Sequence, residues 1–128
     1  MTQTDTVKIW MVGADDAWDT AQKLLTLKKN HHALFFSQLY LEKLLKALTY
    51  HLIDDHPLYT HDLVLLVKKL NLKISPEQIE DLREISKFNV TARYDEIKRE
   101  LYKKATPEFT KIWIEKVKFL ASYFRSLL

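Results

Sequence analysis

The most informative string in the chain is ALFFSQLYLEKLLKALTYHLI, residues 33–53. Twenty-one residues without Gly or Pro, rich in Leu, Lys, Glu and Ala, predict a long helix over Ala33–Ile53. Its main apolar stripe is Leu34, Leu41, Leu45, Leu48 and Leu52, flanked by Phe36, Tyr40, Leu44 and Ala47. A narrower set of Phe35, Leu39, Tyr50 and Ile53 lies almost opposite. A helix apolar on two sides is either central in its bundle or lends one side to a partner. The shortness of the chain favours the partner. His51 falls within the main arc, where a hydrogen-bonded core histidine is expected.

Outward from this helix the signals stay helical. Towards the N-terminus, Val7, Trp10, Met11, Ala14, Ala17, Trp18, Ala21, Leu24 and Leu25 share one side of a helical wheel, predicting a helix from about Val7 to Lys29. Gly13 weakens its middle, and Asn30-His31-His32 reads as the connection. Towards the C-terminus, Asp54-Asp55-His56-Pro57 ends the central helix. Thr60 is then expected to cap a helix through Leu63–Val67. Ser75-Pro76-Glu77-Gln78 is a capping box with proline at the first helical position. Thr106-Pro107-Glu108 opens a last helix with Phe109, Ile112, Trp113, Val117, Leu120, Tyr123, Phe124 and Leu127 inward. A short helix is expected over Ile97–Lys104, after an irregular Ala92–Glu96. The fold class is all-α, an antiparallel up-and-down bundle of four to five helices forming one domain over residues 1–128.

Composition narrows the chemistry. The 128 residues contain one Gly, three Pro and no Cys. One glycine excludes a Gly-rich phosphate loop, and the lack of cysteine excludes disulfides, thiol nucleophiles and thiolate metal sites. His51, His56 and His61 are five apart with Pro57 between them, so no helical metal motif exists; neither metal nor cofactor is expected. No apolar run reaches the roughly 18–20 residues of a membrane span, and MTQTDTVKIW lacks the order of a signal peptide, so a cytoplasmic protein is expected. The net charge is only +3, but it is uneven. Residues 1–86 carry 10 basic and 12 acidic side chains, whereas residues 87–128 carry 10 and 5. This gradient permits a polyanion site in the C-terminal third.

One polar constellation interrupts the apolar periods. Gln38, Glu42 and Lys46 are spaced by four and line one side of the central helix, with Lys43 beside them. They form either a solvated face or a covered site, in which Glu42 accepts hydrogen bonds from Arg93 or from the turn at Thr60-His61-Asp62. Arg93 and Tyr94 bring a guanidinium and a ring to the irregular segment, suited to a phosphate and a base.

Four strings, in order, resemble the HEPN (higher eukaryotes and prokaryotes nucleotide-binding) family. FFSQLYLEKLLKAL, residues 35–48, is similar to its second-helix signature. Pro57-Leu58-Tyr59-Thr60-His61-Asp62-Leu63 is similar to its Pro-x-x-Thr-His-x-Leu turn. Thr91-Ala92-Arg93-Tyr94-Asp95 resembles its Ser-Arg-Tyr-Pro-Asp segment, without the proline. Trp10 with Ala14, Ala17, Ala21 and Leu24-Leu25 also fits. The resemblance, over about residues 7–128, implies a homodimeric helical bundle. It implies a nucleotide, RNA or small nucleotidyltransferase partner, as in toxin–antitoxin pairs. Within it, Arg93 would hold phosphate, Tyr94 would stack, Glu42 would orient Arg93, and Lys43 and Lys46 would add positive charge. Some members are ribonucleases with an Arg-x(4–6)-His motif. Here the last histidine, His61, precedes every arginine, so that motif is absent. A non-catalytic binding protein is the leading expectation. The alternatives are a degenerate ribonuclease using His61 beside Arg93, and a module in which Glu42, His61 and Arg93 only fasten helices.

Overall fold

The computed structural model describes residues 1–90 and 95–128. The described residues form six helices and no strands: α1 (Gln3–Thr26), α2 (Asn30–Ile53), α3 (Leu63–Leu70), α4 (Pro76–Ser86), α5 (Asp95–Lys104) and α6 (Pro107–Ser126). The all-α class holds, but six helices replace the expected four to five. Three are long and three are short.

α1 starts earlier than the apolar period predicts, because Thr2 and Asp5 form a capping box at its N-terminus. At its other end Lys29 N–H donates to Leu24 O and Lys28 N–H to Leu25 O, around Lys28 at φ 60°. That is a Schellman-type stop with lysine where glycine is usual. α2 follows at once, so Asn30, His31 and His32 are its first turn rather than a connection. α1 and α2 pack antiparallel in a register read directly from side chains. Gln3 donates to Tyr50 O (2.7 Å), Trp10 stacks near Tyr50, Lys43 covers Gly13, and Trp18 stacks on Tyr40 at 4.8 Å.

Gly13 remains helical, and a Cβ there would lie 3.3 Å from Lys43 Cδ and Nζ. Those atoms are the far end of a flexible side chain and give way readily. Helix propensity therefore decides the outcome: Gly13→Ala is expected to stabilise the protein by about 0.5–1 kcal/mol in urea denaturation.

α2 touches every other helix. Leu34, Leu41, Leu44, Leu45 and Leu48 have no exposed surface. Its second apolar set is covered by the chain itself only in part, with Ile53 left exposed. Phe36 and Leu39 pack against the chain's own core, Phe35 meets Phe36 edge to face, and Tyr50 lies against Trp10. A helix wrapped by five neighbours needs apolar residues around most of its circumference. Its last turn is less covered, with Leu52 and Ile53 just over two-fifths exposed. His51 is exposed there too, not a core histidine, because the wrapping ends before it.

α6 closes the bundle. Asn30 donates to Ala105 O just before α6, and Arg125 near its end donates to Tyr40 OH and Asp15. α6 thus runs antiparallel to α1 but parallel to α2, which departs from a simple up-and-down order. The three short helices intervene between α2 and α6. Thr106 and Ser75 cap as expected, while Ile112 is 55% exposed instead of inward.

Candidate functional site

Burial of a polar row is the first observation. Gln38, Glu42 and Lys46 are 0%, 4% and 8% exposed, so they are not a solvated face. A buried carboxylate needs its lone pairs filled, and here they are. Glu42 Oε1 accepts from Gln38 Nε2 (3.1 Å) and His61 Nδ1 (2.8 Å), and Oε2 from Lys46 Nζ (3.0 Å). Gln38 Nε2 also donates to His61 O at 3.0 Å, and Gln38 Oε1 accepts from Asn89 Nδ2 at 3.0 Å. α2 is thereby tied to the α2–α3 turn and to the segment after α4.

The turn is shaped to deliver His61. Thr60 N–H donates to Leu58 O, and Asp62 N–H donates to Thr60 Oγ1. The helix cap is Asp62, not Thr60: its carboxylate accepts from Val64 N (2.9 Å) and Leu65 N (3.4 Å). A carboxylate reaches two free amides at a helix start and favours the positive end of the dipole. Thr60 stiffens the approach instead. Because Glu42 accepts, His61 Nδ1 carries the proton, leaving Nε2 as the ring's remaining polar atom.

In front of this network is a cleft of about 450 Å³ lined by Thr60, His61, Asp62, Arg83, Ser86, Lys87 and Asn89. Its wall is fixed by Ser86, whose Oγ accepts from Leu63 N and donates to Leu82 O. Asp62 is engaged by the α3 amides, while Arg83 and Lys87 are about half exposed, their partners Glu80 and Glu84 being helix neighbours at the surface. Such surface pairs are worth roughly 0–1 kcal/mol, so both cations are readily diverted to a ligand. The cleft therefore combines one imidazole, two half-exposed cations and a buried amide network, a set suited to an oxyanion.

Of the residues expected from sequence, Glu42, Lys46 and His61 come together. Lys43 does not, because its chain lies over Gly13 on α1. Lys46 adds no spare charge: its ammonium is spent on Glu42 and sits 5.7 Å from the Trp10 ring centroid. Arg93 and Tyr94 lie outside the described residues. Glu42's three partners are Gln38, Lys46 and His61 among the described residues. Sequence reasoning misses Arg83, Lys87 and Asn89. The four-residue step from Arg83 to Lys87 is an available signal, since it puts both on one side of α4's end.

The family model described as HEPN domain matches residues 7–127. The crystal structure of TT1696 from Thermus thermophilus superposes with a TM-score of 0.77. The two are 19% identical, over 95% of this chain and 98% of that chain, a likeness that shows the fold. No curated protein matches the sequence. With the family model spanning nearly the whole chain, and the buried Gln38–Glu42 row meeting the Thr60-His61 turn, the chain belongs to the HEPN domain family.

Proposed function

We propose that this HEPN domain is a non-catalytic module that binds the phosphate of a nucleotide or RNA in the cleft between the α2–α3 turn and the end of α4. The observation that carries this reading is the cleft itself. His61 is held by Glu42, and Arg83 and Lys87 line the same cleft, paired among the described residues with their surface helix neighbours Glu80 and Glu84. Arg93 and Tyr94 follow Asn89, which lines the cleft, by a few residues, which supports keeping them as phosphate and base contacts. Family membership supports a nucleotide- or RNA-related role. The missing Arg-x(4–6)-His motif supports binding without cleavage over the degenerate ribonuclease reading.

The same reading takes one domain, a cytoplasmic location, a homodimer, and a small nucleotidyltransferase as protein partner in a toxin–antitoxin-like pair. Exposed Leu52, Ile53, Leu58 and Leu65, on α2's last turn, the next loop and α3, support a subunit contact. No helix among the described residues is long and apolar enough to cross a membrane.

Calorimetric titration with ATP and with a short RNA is the test. Arg93→Ala and Lys87→Ala are each expected to weaken binding about tenfold, since a charge-assisted hydrogen bond contributes roughly 1.5–3 kcal/mol. Unchanged affinity in both variants would rule out the cleft. Cleavage of RNA by the wild type but not by His61→Ala would replace the binding role with a catalytic one.

A further inference from the structure

The charge excess of the C-terminal third is not used up by the cleft. Segments 27–32 and 103–118 contain seven lysines against two glutamates. Lys116 turns away to Asp81 at 3.1 Å, and Lys118 pairs with Glu115 at 3.2 Å. Lys28, Lys29, Lys103, Lys104 and Lys111 are exposed. The fold gathers them at one end of the bundle, because Asn30 Nδ2 donates to Ala105 O and so ties the α1–α2 turn to the α5–α6 turn. Lys28, Lys111 and Lys118 line a groove of about 520 Å³ together with Asn30, Glu115 and the apolar Leu25, Pro107 and Ile114, Glu115 being the one carboxylate among them and already paired with Lys118. Beside it the His31 ring meets the exposed Tyr102 ring edge to face, at 4.9 Å. Burial, with the positive neighbours His32 and Lys29, holds the His31 imidazole below the usual histidine range.

This end is linked to the cleft by the chain itself. Asn89 lines the cleft, and α5 begins six residues later and ends beside Ala105. Along α2, Gln38 behind the cleft is eight residues from Asn30 at the basic end, a rise of roughly 12 Å. That is the reach of a few nucleotides, and beyond the reach of a mononucleotide's own phosphates.

We infer that the lysine-rich end where the α1–α2 and α5–α6 turns meet is a phosphate-contact surface for single-stranded RNA, one strand running from the cleft to this end. The inference rests on the cleft reading for its first nucleotide and extends it by naming a polynucleotide as the ligand class. Lysines on flexible stems suit backbone phosphates, and the apolar residues lining the groove with them suit a base or sugar face.

The test pairs fluorescence anisotropy, on labelled oligouridylates of about 4 and about 12 nucleotides, with calorimetry on ATP. The proteins are the wild type, Lys87→Ala, the double variant Lys103→Glu/Lys104→Glu and the double variant Lys28→Glu/Lys111→Glu. All changed residues are exposed or half-exposed, and circular dichroism checks the fold of each. Each double variant is expected to bind the longer oligonucleotide at least about tenfold more weakly, and to flatten the salt dependence by roughly 0.7 per lost phosphate contact. ATP affinity should stay the same. The inference is overturned if the wild type does not bind the longer oligonucleotide, or if neither double variant weakens it. It is also overturned if ATP binding falls in parallel, or if vesicles of anionic phospholipid displace the RNA at equal charge. If Lys87→Ala changes neither ligand while the double variants still lose RNA, the cleft reading fails and the basic surface stands.

Discussion

Glu42→Ala is expected to lower the stability of the protein by about 3–5 kcal/mol, the range for breaking a buried ion pair from one side. The side chain is 4% exposed, and three donors converge on it. Removing it strands the Lys46 ammonium, itself 8% exposed, and leaves Gln38 Nε2 with His61 O as its remaining partner. It also frees the His61 ring, so the cleft loses its fixed imidazole. Urea denaturation measures the loss. Adding Lys46→Met is expected to recover part of it, because the stranded charge goes with the substitution. A cost below about 1 kcal/mol for Glu42→Ala, the level of an exposed pair, would mean that the carboxylate is not a buried anchor.

The second large effect belongs to the apolar core. Phe124 on α6 has no exposed surface and is among the largest fully buried side chains. Phe124→Ala is expected to cost about 3–5 kcal/mol, through lost transfer energy and the cavity left behind. For a chain of this size that lowers Tm by on the order of 10–20 °C. Phe119, just over one turn earlier on the same helix but 68% exposed, is the internal control. Phe119→Ala should stay within about 0.5 kcal/mol of the wild type. Thermal unfolding of both variants separates the inner face of α6 from its outer one.

Much of this architecture is legible in the residues, for local reasons. Ser75-Pro76 and Thr106-Pro107 announce α4 and α6 because a cap and a proline agree on one boundary. The junction of α1 and α2 escapes a sequence reading because its stop is a Schellman turn built on Lys28, with no glycine to mark it. Thr60 reads as a cap because threonine is a good one. Asp62, two residues on, wins because a carboxylate is better placed for two amides. The two-sided α2 points towards a partner in sequence because periodicity counts apolar faces without saying who covers them. The chain itself covers part of that second face, with Leu39 against the core and Tyr50 against Trp10, and leaves Ile53 exposed.

The site is half legible. Spacing by four puts Gln38, Glu42 and Lys46 on one side of α2, and the turn at His61 is a candidate donor to Glu42 from sequence alone. Burial turns that row from a solvated stripe into an anchor. Asn89, Arg83 and Lys87 stay hidden because they reach the cleft through tertiary packing: Asn89 lies 51 residues from the Gln38 it bonds. The same packing assigns Lys43 and Lys46 to the α1 contact and the Glu42 pair, away from ligand duty.

The central claim is that the cleft beside the Glu42–His61 pair takes a phosphate. It is tested most directly by amide and side-chain NMR shifts of the ¹⁵N-labelled protein during titration with ATP. The account predicts saturable shifts concentrated at Thr60, His61, Asp62, Lys87 and the Asn89 side-chain amide. Shifts confined instead to residues away from the cleft, such as the stacked Trp18 and Tyr40 and the Arg125 bonded to Tyr40, or no saturable shift at any site, would contradict it.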